Sequence, residues 1–131
     1  MKLFHTVATI LTTAIFSATA LADDLRETYV ARLSTRDHFN SSGGRLDSAA
    51  AVIRQDRANF HKFGRRDAED EDDAFFASAR SRDLLEKLLE RGSADRGAIR
   101  AIMSGTPLVR VQVFVSSRTG NEYIRVSVIE N

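Results

Sequence analysis

The chain has 131 residues and a mass of 14.6 kDa, the size of one domain. It has no cysteine, which excludes a disulfide framework, a thiolate zinc site, an iron–sulfur cluster and a cysteine nucleophile. Lys+Arg is 19 against Asp+Glu 18, so no overall charge draws the chain to nucleic acid.

Residues 1–22 read as a signal peptide. Lys2 supplies a short positive start, Leu3 to Leu21 carry no acid, and Ala20-Leu21-Ala22 has the small-x-small form of a cleavage site. The rival reading, an uncleaved anchor, is weakened by Thr6, Thr9, Thr12, Thr13, Ser17 and Thr19. The sequence thus divides into a leader, 1–22, and a single exported domain, 23–131, destined for the periplasm or the medium. No stable membrane anchor is expected after cleavage. Beyond residue 22 the only lysines are Lys62 and Lys87, and every other basic residue is arginine, the side chain suited to forked pairing with carboxylates and phosphates.

Residues 25–34 carry two periods. Leu25, Tyr29 and Leu33 fit a helix, whereas Tyr29, Ala31 and Leu33 alternate as in a strand. The reading here favours helix. Residues 35–46 are a loop, dense in turn formers from Asn40 to Gly44. The best-marked helix covers 48–63. Asp47 or Ser48 caps it, and Ala49, Val52, Ile53, Asp56, Phe60 and Phe63 fall on one face. Gly64 ends it. Arg54, Arg57 and His61 line a second face.

The polar run 65–73 leads to a short helix over 74–80, capped by Asp72 or Asp73. Ser81 caps another through Arg91, with Leu84, Leu85, Leu88 and Leu89 inward, and Gly92 stops it. A third short helix spans 94–104, burying Ala98, Ile99, Ile102 and Met103, and Gly97 weakens it. After Pro107 the period becomes two. Residues 108–115 and 122–129 alternate about a Gly-Asn loop, which predicts a β-hairpin whose free edge pairs with 28–33 or with another molecule. The fold class is α+β: three to four helices followed by a C-terminal β-hairpin.

Three groups of residues could carry chemistry. Asp37, His38 and Asn40 in the loop, with Asp56, Arg57 and His61 on the main helix, could line a ligand or metal pocket. Alternatively, Asp56 is a buried carboxylate in a structural polar knot, because a carboxylate in an apolar stripe must be paired. The acids Glu69, Asp70, Asp72 and Asp73 suggest a loose calcium site. An EF-hand begun at Asp67 fails, since Asp72 stands where glycine is needed and Ser78 where a bidentate glutamate is needed. The competing reading is a solvated loop balanced by Arg65 and Arg66. The stripe Arg54, Arg57, His61 could hold phosphates, but the acids that follow it cancel most of its field.

There is no GxSxG elbow, HExxH, GxGxxG or P-loop; Gly92 to Gly97 has the P-loop gap, but Ala98-Ile99 replaces its lysine and hydroxyl. Asn40-Ser41-Ser42 is formally a glycosylation sequon. No cofactor is implied.

The stretches YVARLS, DHFNSSGGRL, AAAVIRQDRANFHKFGRRDAEDEDDAFF and GTPLVRV resemble a group of small exported bacterial proteins of unassigned function. The resemblance spans most of 23–131 and implies export but no activity. The sequence therefore points to an exported, non-enzymatic domain that binds a protein partner or an anionic ligand in the cell envelope, not nucleic acid. The alternative is a metal- or ligand-binding protein, or an enzyme, with a His/Asp pocket.

Overall fold

In the computed structural model, Ser17 and residues 20–131 are described; the leader assigned to 1–22 falls almost wholly outside them. Among the described residues every helix and strand lies between Asp24 and Glu130. None of the helices is long and apolar enough to cross a membrane.

The segment expected to favour helix is strand β1, Asp24–Arg32. It pairs antiparallel with β3, Leu108–Val115, setting Tyr29 against Val111 and Ala31 against Val109. The period-two pattern prevails because β3 offers a backbone partner along the whole strand. Tyr29, Ala31 and Leu33 become fully buried, whereas Leu25, which a helical stripe would have used, stays 47% exposed.

β3 also pairs antiparallel with β4, Glu122–Glu130. The two C-terminal strands thus pair with each other, and the free edge takes up the 28–33 segment as expected, but they do not stand as a separate hairpin. These two strands are the centre of a four-stranded mixed sheet of order β1-β3-β4-β2. The fourth strand, β2, is Ser93–Ala94 and runs parallel to Arg125–Val126. Gly92 makes that junction possible. A Cβ at this position would lie 1.6 Å from the Ile124 carbonyl oxygen.

Among the described residues four α-helices accompany the sheet. Helix α1 is Ala49–His61, and its cap is Ser48, whose side chain accepts from the Ala51 N–H. Ala49, Val52, Ile53 and Phe60 are buried as the stripe requires, but Phe63 lies past the helix end and is 43% exposed. The segment expected as one helix over 74–80 is a 3-10 turn at Phe75–Ala77 followed by α2, Ala79–Asp83. Arg82 accounts for the break, since its guanidinium draws off the Phe76 and Ala77 carbonyls at 2.8 and 3.0 Å. The cap of α2 is Ser78, not Asp72 or Asp73. Helix α3 is Leu85–Arg91, and α4 is Arg96–Ser104, capped by Asp95. Ala98 and Ile102 of α4 face inward, whereas Ile99 is 40% exposed.

The core joins the inner sheet face (Tyr29, Val109, Val111, Val113, Ile124, Val126) to Val52 and Ile53 of α1, Phe76, Leu85 and Leu88 of α3, and Ile102 of α4. Burying an aliphatic or aromatic side chain of this kind contributes roughly 1.5–3 kcal/mol. No cysteine adds a covalent link.

Candidate functional site

Helix α1 turns Asp56, Arg57 and Asn59 into the protein along with its apolar stripe. Arg57 is completely buried. Its Nε donates to Asp56 Oδ2 at 2.8 Å, and its Nη1 donates to Asp73 Oδ1 at 2.8 Å and to the Glu71 carbonyl at 3.1 Å. The guanidinium plane lies between two rings, 4.2 Å from the Tyr29 centroid and 4.5 Å from that of Phe60. Two buried atoms here, Tyr29 Oη and Arg57 Nη2, have no hydrogen-bond partner. Asp73 accepts two further bonds, from His61 Nε2 at 2.8 Å and from the Phe76 N–H at 2.6 Å.

Burial governs the ionisation of this knot. It raises the Asp56 carboxyl to about 8, against the pull of the Arg57 cation. Burial also opposes the Arg57 charge, but the surrounding acidic groups, Asp56 and Asp73 among them, outweigh it and hold the guanidinium above its ordinary value. Burial thus favours the protonated form of the Asp56 carboxyl beside the Arg57 cation. Desolvation likewise raises the Tyr29 phenol well above its usual range.

The loop residues belong to a neighbouring network. Asp37 accepts from the Ser34 N–H at 2.8 Å, from the Ser34 hydroxyl at 3.1 Å and from Asn59 Nδ2 at 2.8 Å, tying the loop to α1. Its carboxyl is raised by burial, an effect that the Asn59 and Ser34 bonds oppose. His38 reaches two backbone carbonyls, Ser34 at 2.9 Å through Nδ1 and Ile102 at 2.6 Å through Nε2, and so ties the loop to α4. Asn40 bonds its own turn, its Oδ1 accepting from the Ser42 and Gly44 N–H groups. The six candidates thus fall into separate places. Asp56, Arg57 and His61 share the Asp73 knot, Asp37 and His38 fix the loop, and Asn40 builds a turn.

The acidic run has a different role from either expected one. It lies along the outer edge of β1, where Glu71 N–H donates to the Val30 carbonyl and the Glu71 and Asp70 carboxylates accept from the Val30 and Arg32 N–H groups at 2.9 Å. An exposed strand edge is thereby covered and charged. Glu69 pairs with Arg32, and Asp67 with Arg36. Asp72 accepts from the Asp73 N–H. These arginines, rather than Arg65 and Arg66, balance the run; Arg65 and Arg66 lie over the rings of Phe63 and Phe60. Among the described residues, Glu69, Asp70, Asp72, Asp73 and the histidines form no group of three or more that could hold a metal ion. The supposed basic face of α1 is also dispersed, since Arg54 pairs with Asp83 and Arg57 is interior.

A site that the sequence reading passed over lies at the opposite end of the sheet. A polar cleft of about 410 Å³ opens between the end of α3 with Gly92 and Ser93, the 116–121 loop, and the start of β4. Arg91, Arg118 and Arg125 line it, all exposed. None of the three makes an ion pair among the described residues, although the carboxylates of Asp23 and Glu122 stand at its rim. Arg125 lies 4.7 Å over the Phe114 ring, which in turn stacks on Tyr123 at 5.4 Å. The Tyr123 hydroxyl donates to Asp23 Oδ2 at 2.5 Å. That bond, with those from Ser117, holds the Asp23 carboxyl below its usual value and raises the Tyr123 phenol. The usable signal was Arg118 in the turn with Arg125 on the outward phase of β4.

No protein-family model, curated protein or solved structure matches this chain.

Proposed function

We propose that this chain is exported and that residues 23–131 form a non-enzymatic domain binding an anionic ligand, a phosphate or a phosphate-bearing partner, at the Arg91–Arg118–Arg125 cleft. The observation that carries this reading is the contrast in commitment among polar groups. The histidines and the buried carboxylates are engaged in bonds that hold the fold, while three exposed arginines meet at one cleft without a carboxylate partner. Arginine forks suit phosphate oxygens, which accept two parallel N–H bonds. Serine and threonine of the 116–119 turn add hydroxyls at the same wall. Export is supported by the character of residues 1–22 and by the resemblance to small exported bacterial proteins.

The test is a calorimetric titration of 23–131 with inorganic pyrophosphate at low salt. Saturable binding is expected, weakened about tenfold or more by Arg118→Glu or Arg125→Glu and by added salt. Vesicles of phosphatidylglycerol, with phosphatidylcholine as control, separate a lipid headgroup from a soluble phosphate. No binding to either probe, or binding unchanged in both variants, overturns the reading.

A further inference from the structure

We infer that removal of the leader after Ala22 completes the cleft, because the new α-ammonium of Asp23 joins Arg91, Arg118 and Arg125 as its fourth cation. This inference rests on the reading above, both in its anion-binding cleft and in its removal of residues 1–22. Asp23 is the residue that follows the small-x-small sequence, and it lines the cleft. Its side chain is held by groups far downstream in the chain. Oδ1 accepts from the Ser117 N–H at 2.9 Å and the Ser117 hydroxyl at 3.1 Å, and Oδ2 accepts from Tyr123. The next residue, Asp24, already pairs with Val115 in β1. Residue 23 is therefore anchored on both its side chain and its C-terminal side. Upstream, the described contact is a single bond, from the Ser117 hydroxyl to the Leu21 carbonyl, and Leu21 is 79% exposed.

Cleavage hydrolyses the Ala22–Asp23 peptide bond. Water supplies the oxygen of the Ala22 carboxylate, which leaves with the leader, and the Asp23 nitrogen gains protons. An amide N–H in the uncut chain thus becomes an ammonium, which is charged at neutral pH because α-amino groups titrate near 7.7–8.0. The charge at the cleft changes from three arginines against Asp23 and Glu122 to three arginines and an ammonium against the same two acids. The uncut chain would then carry a weaker site than the mature one, so that full anion affinity appears only after export. One added unit charge a few ångströms from an anion, acting through water, corresponds to a gain of about fivefold.

The experiment compares pyrophosphate binding to a chain beginning at Asp23 and one beginning at Ala20, with the melting temperature of each recorded to confirm the same fold. A third sample, the Asp23 chain with its α-amine selectively acetylated, separates charge from length. The expected result is affinity about fivefold higher for the free Asp23 terminus than for either of the others, with the difference vanishing above pH 9 as the ammonium loses its proton. Equal affinity in all three overturns this inference and leaves the cleft reading standing. Binding in none overturns both.

Discussion

Two sets of arginines in this small domain have opposite environments. Arg57 is fully buried, fixed by Asp56, Asp73 and the Glu71 carbonyl between two aromatic rings. Arg91, Arg118 and Arg125 are exposed around a polar cleft and pair with no acid among the described residues. The same side chain does different work in each place. In the interior its forked geometry satisfies carboxylates that would otherwise be buried and unpaired. On the surface that geometry remains available to a ligand. The histidines show the same division. His38 and His61 carry the residue type expected of chemistry, yet each is turned inward as a tie between chain segments.

The comparison can be broken most severely at Arg57. Arg57→Met leaves Asp73 buried without its cation, and removing one partner of a buried pair costs about 3–5 kcal/mol. Urea unfolding should show a loss of that order; a loss under about 1 kcal/mol would mean that the knot does not hold the fold. Gly92→Ala comes next. Its Cβ would meet the Ile124 carbonyl at 1.6 Å, and since a backbone atom cannot move aside, the cost should reach the upper part of the roughly 1–3 kcal/mol range for overpacking. Loss of amide protection at Ser93 and Ala94 would place the damage at the β2–β4 wall of the cleft.

A pH series sharpens the comparison further. The Asp56 pKa is raised from 3.8 to about 8 on folding. Below the lower value both states hold the proton, and nothing is lost. Between the two, the unfolded chain releases it while the folded one keeps it, so stability falls with rising pH by up to about 1.4 kcal/mol per unit and the loss is complete above the upper value. Asp56→Asn should flatten that slope between pH 5 and 8. A slope that is unchanged in the variant would show that Asp56 is ionised in the fold. The smallest effect belongs to the cleft. Arg118→Glu, an exposed change, should leave the unfolding free energy within about 0.5 kcal/mol of the parent while weakening pyrophosphate binding.

Much of the scaffold is legible in the sequence. Ser48 and the stripe Ala49, Val52, Ile53, Phe60 mark α1, and the alternating valines mark β3. Residues 25–34 read ambiguously because the choice between helix and strand depends on a partner far along the chain, β3. The paired state of Asp56 follows from its place in an apolar stripe, but the second carboxylate on Arg57, Asp73 of the distant acidic run, could not be read from spacing. The acidic run itself looked like a candidate calcium loop because its carboxylates are clustered; its role as a cover for the β1 edge depends on tertiary contact. The arginine cleft was hidden for the same reason, since Arg91, Arg118 and Arg125 converge only when α3, the 116–121 loop and β4 meet.

The most direct measurement is a pyrophosphate titration of 15N-labelled 23–131 followed by amide chemical shifts. The expected result is saturable movement confined to residues 91–93 and 116–125, with the amides of the Asp37, Asp56, Arg57 and His61 networks unmoved. Shifts centred on those networks, or none anywhere, would contradict the division between arginine that holds the fold and arginine that meets the ligand.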